Sequence, residues 1–161
     1  MKKIILGFDP GTEKAGWALL EADGLKISLL QFGHIAIRPS MSLQKRLGLL
    51  YREASKIIEV HKPMQIAIEG QFVGINPKAA MAIAMSRGVL LALADHHGIE
   101  AFEYSPKEAK MGITGRGNAT KEEVQKMCKL LFRQNFEEPF DATDAIALAY
   151  CHLNHLKARV L

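Results

Sequence analysis

The chain has 161 residues, 48% of them hydrophobic and 24% charged, the balance of a soluble globular protein with enough chain to bury a core. Its formal net charge is +4, and the whole excess lies between Lys107 and Arg133, where seven basic residues meet three acidic ones. Two cysteines, Cys128 and Cys151, show neither CxxC nor Cys/His spacing, which excludes a zinc module or disulfide framework and leaves buried free thiols.

No basic stretch with an apolar core opens the chain, and the longest apolar run, Ala79 to Ala94, is interrupted by Ser86-Arg87-Gly88. A mid-run arginine argues against a membrane span. The expectation is one domain over residues 1–161, cytoplasmic, with no membrane partner.

Ile4 to Phe8 is a short apolar run that stops at Asp9-Pro10-Gly11-Thr12. The run predicts a buried strand and the Pro-Gly a sharp stop, so Asp9 is delivered to a strand end. Such an acid either hydrogen-bonds its own turn or is a rigidly held reactive group. Gly16 to Glu21 and Lys26 to Ile37 predict two more strands, joined by the hairpin signal Asp23-Gly24. Three sequential antiparallel strands therefore begin the fold.

Ser40 and Ser42 are N-cap candidates for a helix with Leu43, Leu47, Leu50, Tyr51, Ala54, Ile57 and Ile58 on one face, ended by Lys62-Pro63. Met64 to Glu69 repeats the strand-then-acid pattern, stopped by Gly70. A strand after a helix implies a crossover, which would place Glu69 near Asp9 if the two strands are parallel neighbours. Gln71 to Ile75 reads as a loop carrying Phe72 to the mouth of a site. Asn76-Pro77 opens a long helix to about Gly98. Its apolar residues lie on nearly every side, which predicts burial on several faces and makes self-association plausible.

Ile99 to Tyr104 predicts a further strand. Ser105 to Glu108 and Thr120 to Glu123 are capping boxes that open two helices, with Gly112 to Asn118 as a flexible loop between them. Lys121 stands in the first turn of the second helix, where a cation opposes the helix dipole. It is either a small tolerated cost or a lysine aimed at a phosphate. Asp141-Ala142-Thr143-Asp144 precedes a final helix, with Asp141 as its N-cap. The i, i+3 spacing puts both carboxylates on one face of the first turn.

Asp9, Glu69, Asp141 and Asp144 thus stand at strand ends or a helix start. Converged, they repel one another unless a hard divalent cation joins them, and Mg²⁺ prefers carboxylates and waters. With a basic segment nearby, the matching chemistry is phosphodiester hydrolysis with two metal ions per site. The six histidines pair with no Ser or Cys by spacing, and no Walker or GxGxxG loop is present.

The succession of three strands, helix, strand, helix, strand and helices resembles the ribonuclease H-like fold. Within it, the chain resembles the RuvC family of Holliday-junction resolvases over nearly its full length. The residues carrying the resemblance are Gly7 to Thr12, Gly16-Trp17, Ala67-Ile68-Glu69, Ser86-Arg87-Gly88 and Asp141 to Ala145. It implies an α/β fold, a mixed five-stranded sheet flanked by helices. It also implies metal-binding, catalytic roles for Asp9, Glu69, Asp141 and Asp144, and DNA contacts by Phe72, Lys110 and Lys121. Arg116, in the glycine-rich loop of the basic segment, is a further candidate DNA contact.

The implied activity is paired symmetric nicking of four-way DNA junctions by a homodimer that uses Mg²⁺, with Mn²⁺ as substitute. A branch-migration motor complex is a further expected partner. Two departures stand out: Gly70-Gln71 follows Glu69 where relatives run glutamine and then valine or similar, and the chain ends soon after His155. The rival readings are a phage-type branched-DNA endonuclease of relaxed specificity, a non-catalytic nucleic-acid-binding module, and an actin-like or sugar-kinase ATPase fragment.

Overall fold

The computed structural model describes residues 2–11, 13–70, 76–136 and 140–158. Its strands are β1 (Lys3–Asp9), β2 (Lys14–Asp23), β3 (Lys26–Ala36), β4 (Gln65–Glu69) and β5 (Glu100–Tyr104). The helices are α1 (Leu43–His61), α2 (Pro77–His96), α3 (Pro106–Thr114), α4 (Lys121–Phe132) and α5 (Phe140–Ala158). The strands form one sheet in the order β3-β2-β1-β4-β5. β1, β2 and β3 pair antiparallel, while β4 pairs parallel with both β1 and β5.

Alternation along the strands creates two cores. Leu6 and Phe8 of β1 and Ile66 and Ile68 of β4 pack with Leu50, Ala54, Ile58, Leu90 and Leu93 of α1 and α2. Ile5 and Ala67 face the other way, into the cluster built by α3, α4 and α5. The sheet is thus covered on both faces, as its apolar parallel half requires.

Several expectations are met residue by residue. Gly24 takes a positive φ of 59° in the β2–β3 hairpin. Ser42 caps α1, Asn76 caps α2 with Pro77 in its first turn, and both capping boxes close as expected. Cys128 and Cys151 are buried free thiols, and burial pushes them up to about 12 and about 11 respectively.

Two expectations are corrected. Gly112 does not begin a loop: α3 continues to Thr114 and ends at Gly115, whose φ is 75°. Gly112 is instead where α3 crosses α5, since a Cβ there would lie 2.9 Å from Cys151 Cα. Asp141 is not an N-cap but lies inside the first turn of α5, which starts at Phe140. Within the single chain, α2 is buried along one side, through Ser86, Leu90, Leu93 and Ala94. By length and apolarity α2 passes as a membrane span. Here it packs against α1 and carries Arg87 in an ion pair with Glu103.

Candidate active site

The period-2 geometry of strands decides where the acids point. Asp9 is two residues beyond Gly7, and Glu69 two beyond Ala67, so both carboxylates share the face that α5 covers. Parallel register sets Phe8 opposite Ile68, which makes Asp9 and Glu69 lateral neighbours at adjacent strand ends.

Helix α5 reaches these strand ends because glycines admit it. A Cβ on Gly7 would run into the carbonyl oxygen of Ala145, and one on Gly16 into that of Asp141. The small face Ala142, Ala145 and Ala149, each fully buried, completes the close approach. Asp141 and Asp144 are thereby held over Asp9. The far end of α5 is fastened by His152, which lies between Tyr104 Oη at 2.7 Å and Gln65 Oε1 at 3.0 Å. Its Nε2–H donates to the Gln65 carbonyl, leaving Nδ1 to accept from the tyrosine hydroxyl.

All four carboxylates line one cavity of about 600 Å³, together with Lys110, Lys121, Glu13, Lys14 and Pro106. Burial and then the charges of Glu69, Asp144 and Asp141 hold Asp9 well above the usual carboxylate range, against a smaller opposing pull from Lys121. Glu69 is raised by burial and then by Asp144, with Lys121 and Lys110 opposing. Asp144 is raised by burial even though Lys121 pulls it down. Lys121 donates from Nζ to Asp144 Oδ2 at 3.0 Å. Burial alone would lower its ammonium, but the acids outweigh burial and leave it raised.

An all-carboxylate donor set that resists its own ionisation fits a hard divalent cation. Among the described residues, no three acid, histidine or cysteine side chains are yet gathered at ligand distance around one point. The acids face a common cavity, and a lysine holds one of them.

Of the other candidates, Lys110 and Lys121 are on the cavity wall. Arg116 lies away from it, exposed and paired with Glu123 of α4. Phe72 lies outside the described residues.

Sequence reasoning missed a clamp next to Glu69. Gly70 N–H donates to Tyr104 O at 2.9 Å, and a Cβ on Gly70 would lie 2.8 Å from Glu103 Cβ. Arg87 holds the same Glu103 from α2. The Ser86-Arg87-Gly88 motif and the unusual Gly70 were visible signals, but their partner Glu103 is remote in sequence.

Sheet order and two-sided helical cover define a ribonuclease H-like α/β fold, with an acid-lined cleft at the ends of β1 and β4. The family described as "Crossover junction endodeoxyribonuclease RuvC" matches residues 5–152. A relative of that name from Natranaerobius thermophilus is 38% identical over 157 residues, covering 97% of this chain and 98% of its own. Another, from Chlorobium phaeovibrioides, is 40% identical, covering 93% of this chain and 80% of its own.

Among solved structures, Thermus thermophilus RuvC superposes with a TM-score of 0.85 at 25% identity, covering 97% of this chain and 96% of that one. T. thermophilus RuvC in complex with Holliday junction substrate gives 0.90 at 24% identity, covering 98% and 96%. The chain belongs to the RuvC family of crossover junction endodeoxyribonucleases.

Proposed function

We infer that this chain is one nuclease domain that cuts four-way DNA junctions in the cytoplasm, with Asp9, Glu69, Asp141 and Asp144 as its metal-binding and catalytic residues. The observation carrying this reading is that four carboxylates from β1, β4 and α5 line one cavity with Lys110 and Lys121 on its wall. Family membership supplies the substrate class: relatives are named crossover junction endodeoxyribonucleases.

The four carboxylates would hold Mg²⁺, two ions per site, and Mn²⁺ would serve in its place. When bound, the ions supply an activated water and neutralise charge on the leaving oxygen. The chain's own part is to hold the carboxylates on rigid elements and to bring a phosphate to them. Lys110 and Lys121 do the latter as cations beside the cavity. Phe72 is assigned to the junction crossover and Arg116 to flanking phosphates.

The active unit is a homodimer, whose two-fold symmetry suits two symmetric nicks. Support comes from α2, which turns Met81, Ala84, Met85, Gly88 and Ala92 to solvent in one stripe. Such a row of small and apolar residues gains by meeting a second copy. A branch-migration motor would act upstream of the dimer by moving the crossover to a cleavable position.

The deciding experiment is Mg²⁺-dependent cleavage of a mobile four-way junction with nicks mapped on every strand, for the parent chain and for Asp9→Asn. Paired symmetric nicks are expected from the parent. The variant is expected to lose cleavage while binding the junction with nearly unchanged affinity. Cleavage retained in Asp9→Asn would remove the metal assignment. Equal rates on flaps and Y-forms would favour the relaxed branched-DNA endonuclease.

A further inference from the structure

The geometry points to a second role for Lys121, resting on the site assigned above: it is an exchangeable counter-ion that holds Asp144 until metal binds and is then handed to the DNA. Its position is otherwise unfavourable. As the first residue of α4, Lys121 places a cation where the helix dipole is positive. The N-terminal N–H groups of that turn are already served by the Thr120–Glu123 capping box, so no capping duty explains the lysine.

Its ammonium instead leaves α4 and meets Asp144 of α5 at 3.0 Å, inside the cavity that the other three acids line. The Lys121 side chain is still half exposed, while that of Asp144 is largely covered. The cation therefore sits at the mouth and the acid inside, an arrangement in which the lysine can swing to solvent without unfolding anything.

Two occupants compete for Asp144. A monovalent ammonium on a flexible stem neutralises one acid, whereas a divalent cation satisfies several at once. Metal entry therefore displaces Lys121 from Asp144. The freed ammonium remains at the cavity wall, which Lys110 also lines, where a phosphate must pass to reach the acids. Because the lysine end of the pair is half exposed, water can take over the ammonium while the metal takes over the covered acid. By linkage, metal and DNA then strengthen each other's binding through this one side chain.

The test is a thermodynamic cycle on the intact protein. Four-way junction affinity is measured by fluorescence anisotropy for the parent and Lys121→Met, each without divalent ions and with Ca²⁺, at constant ionic strength. Lys126→Gln, an exposed charge on the same helix, serves as the control for simple charge loss. The expected result is a small loss for Lys121→Met without metal and a loss about fivefold greater with Ca²⁺, the size of one exchanged ion contact. Lys126→Gln should lose the same factor in both conditions. An equal loss for Lys121→Met in both conditions overturns the exchange while leaving the site assignment standing. Ca²⁺ without effect on either chain overturns the site and the exchange together.

Discussion

Asp9 binds its last proton more tightly in the folded chain than in an unfolded one, because burial and three neighbouring acids oppose its charge. The folded state then holds more protons than the unfolded state as pH rises past the ordinary carboxylate range of about 4. Stability of the metal-free protein therefore falls through that window. Asp9→Asn removes this penalty. In the presence of a chelator the variant should melt above the parent at neutral pH, and the gap should close as pH falls into the ordinary carboxylate range. Calorimetry across pH checks this, and a gap of constant size would contradict it. Mg²⁺ should raise the parent's melting temperature at low salt and do much less for the variant.

At the scale of elements, the site depends on how closely α5 lies on the sheet. Gly16 faces the Asp141 carbonyl with no room for a methyl group, so Gly16→Ala must push the first turn of α5 away. The expected cost is about 1–3 kcal/mol, as for other overpacked contacts, together with weaker Mg²⁺ binding measured by calorimetry. Gly24→Ala is the contrast. Its backbone strain at φ 59° costs about 1–2 kcal/mol, but open space surrounds it and the site should bind metal normally.

Helix α3 offers a separate check. The Ser105 hydroxyl and backbone N–H hold the Glu108 carboxylate below its usual range, so its contribution is present at neutral pH and lost as pH falls. Ser105→Ala should cost about 1 kcal/mol in chemical denaturation at neutral pH and less in acid.

For the whole molecule, charge and surface set the partners. The basic segment from Lys107 to Arg133 forms α3, α4 and the turn between them, on the same side of the sheet as the acidic cavity. Junction affinity should fall linearly with the logarithm of salt concentration, because phosphate contacts release counter-ions. The opposite side presents the α2 stripe, where Met81 is 62% exposed. Met81→Glu combined with Met85→Glu should abolish the proposed dimer in sedimentation, while each chain keeps its far-UV spectrum. A dimer that persists would place the interface elsewhere.

Much of this was legible along the chain because its causes are local. Apolar alternation made the strands, helical spacing made α1 and α4, and the side-chain hydrogen bonds of Ser105 and Thr120 made their caps. Asp9 and Glu69 were visible as acids ending apolar runs. Asp141 and Asp144 were visible as an i, i+3 pair, although the capping duty given to Asp141 was wrong.

Tertiary structure alone decided that α5 covers the face to which Asp9 and Glu69 point, that Gly7, Gly16 and Gly112 exist to admit a helix, and that Arg87 and Glu103 brace Gly70. It also placed Arg116 away from the cavity and set Lys121 against Asp144. Apart from Arg116, whose partner Glu123 is close by in the chain, these pairings join distant residues, and no periodicity or short-range hydrogen bond records them. The sequence by itself thus determined which groups this protein carries to the ends of its elements, and packing determined which of them meet.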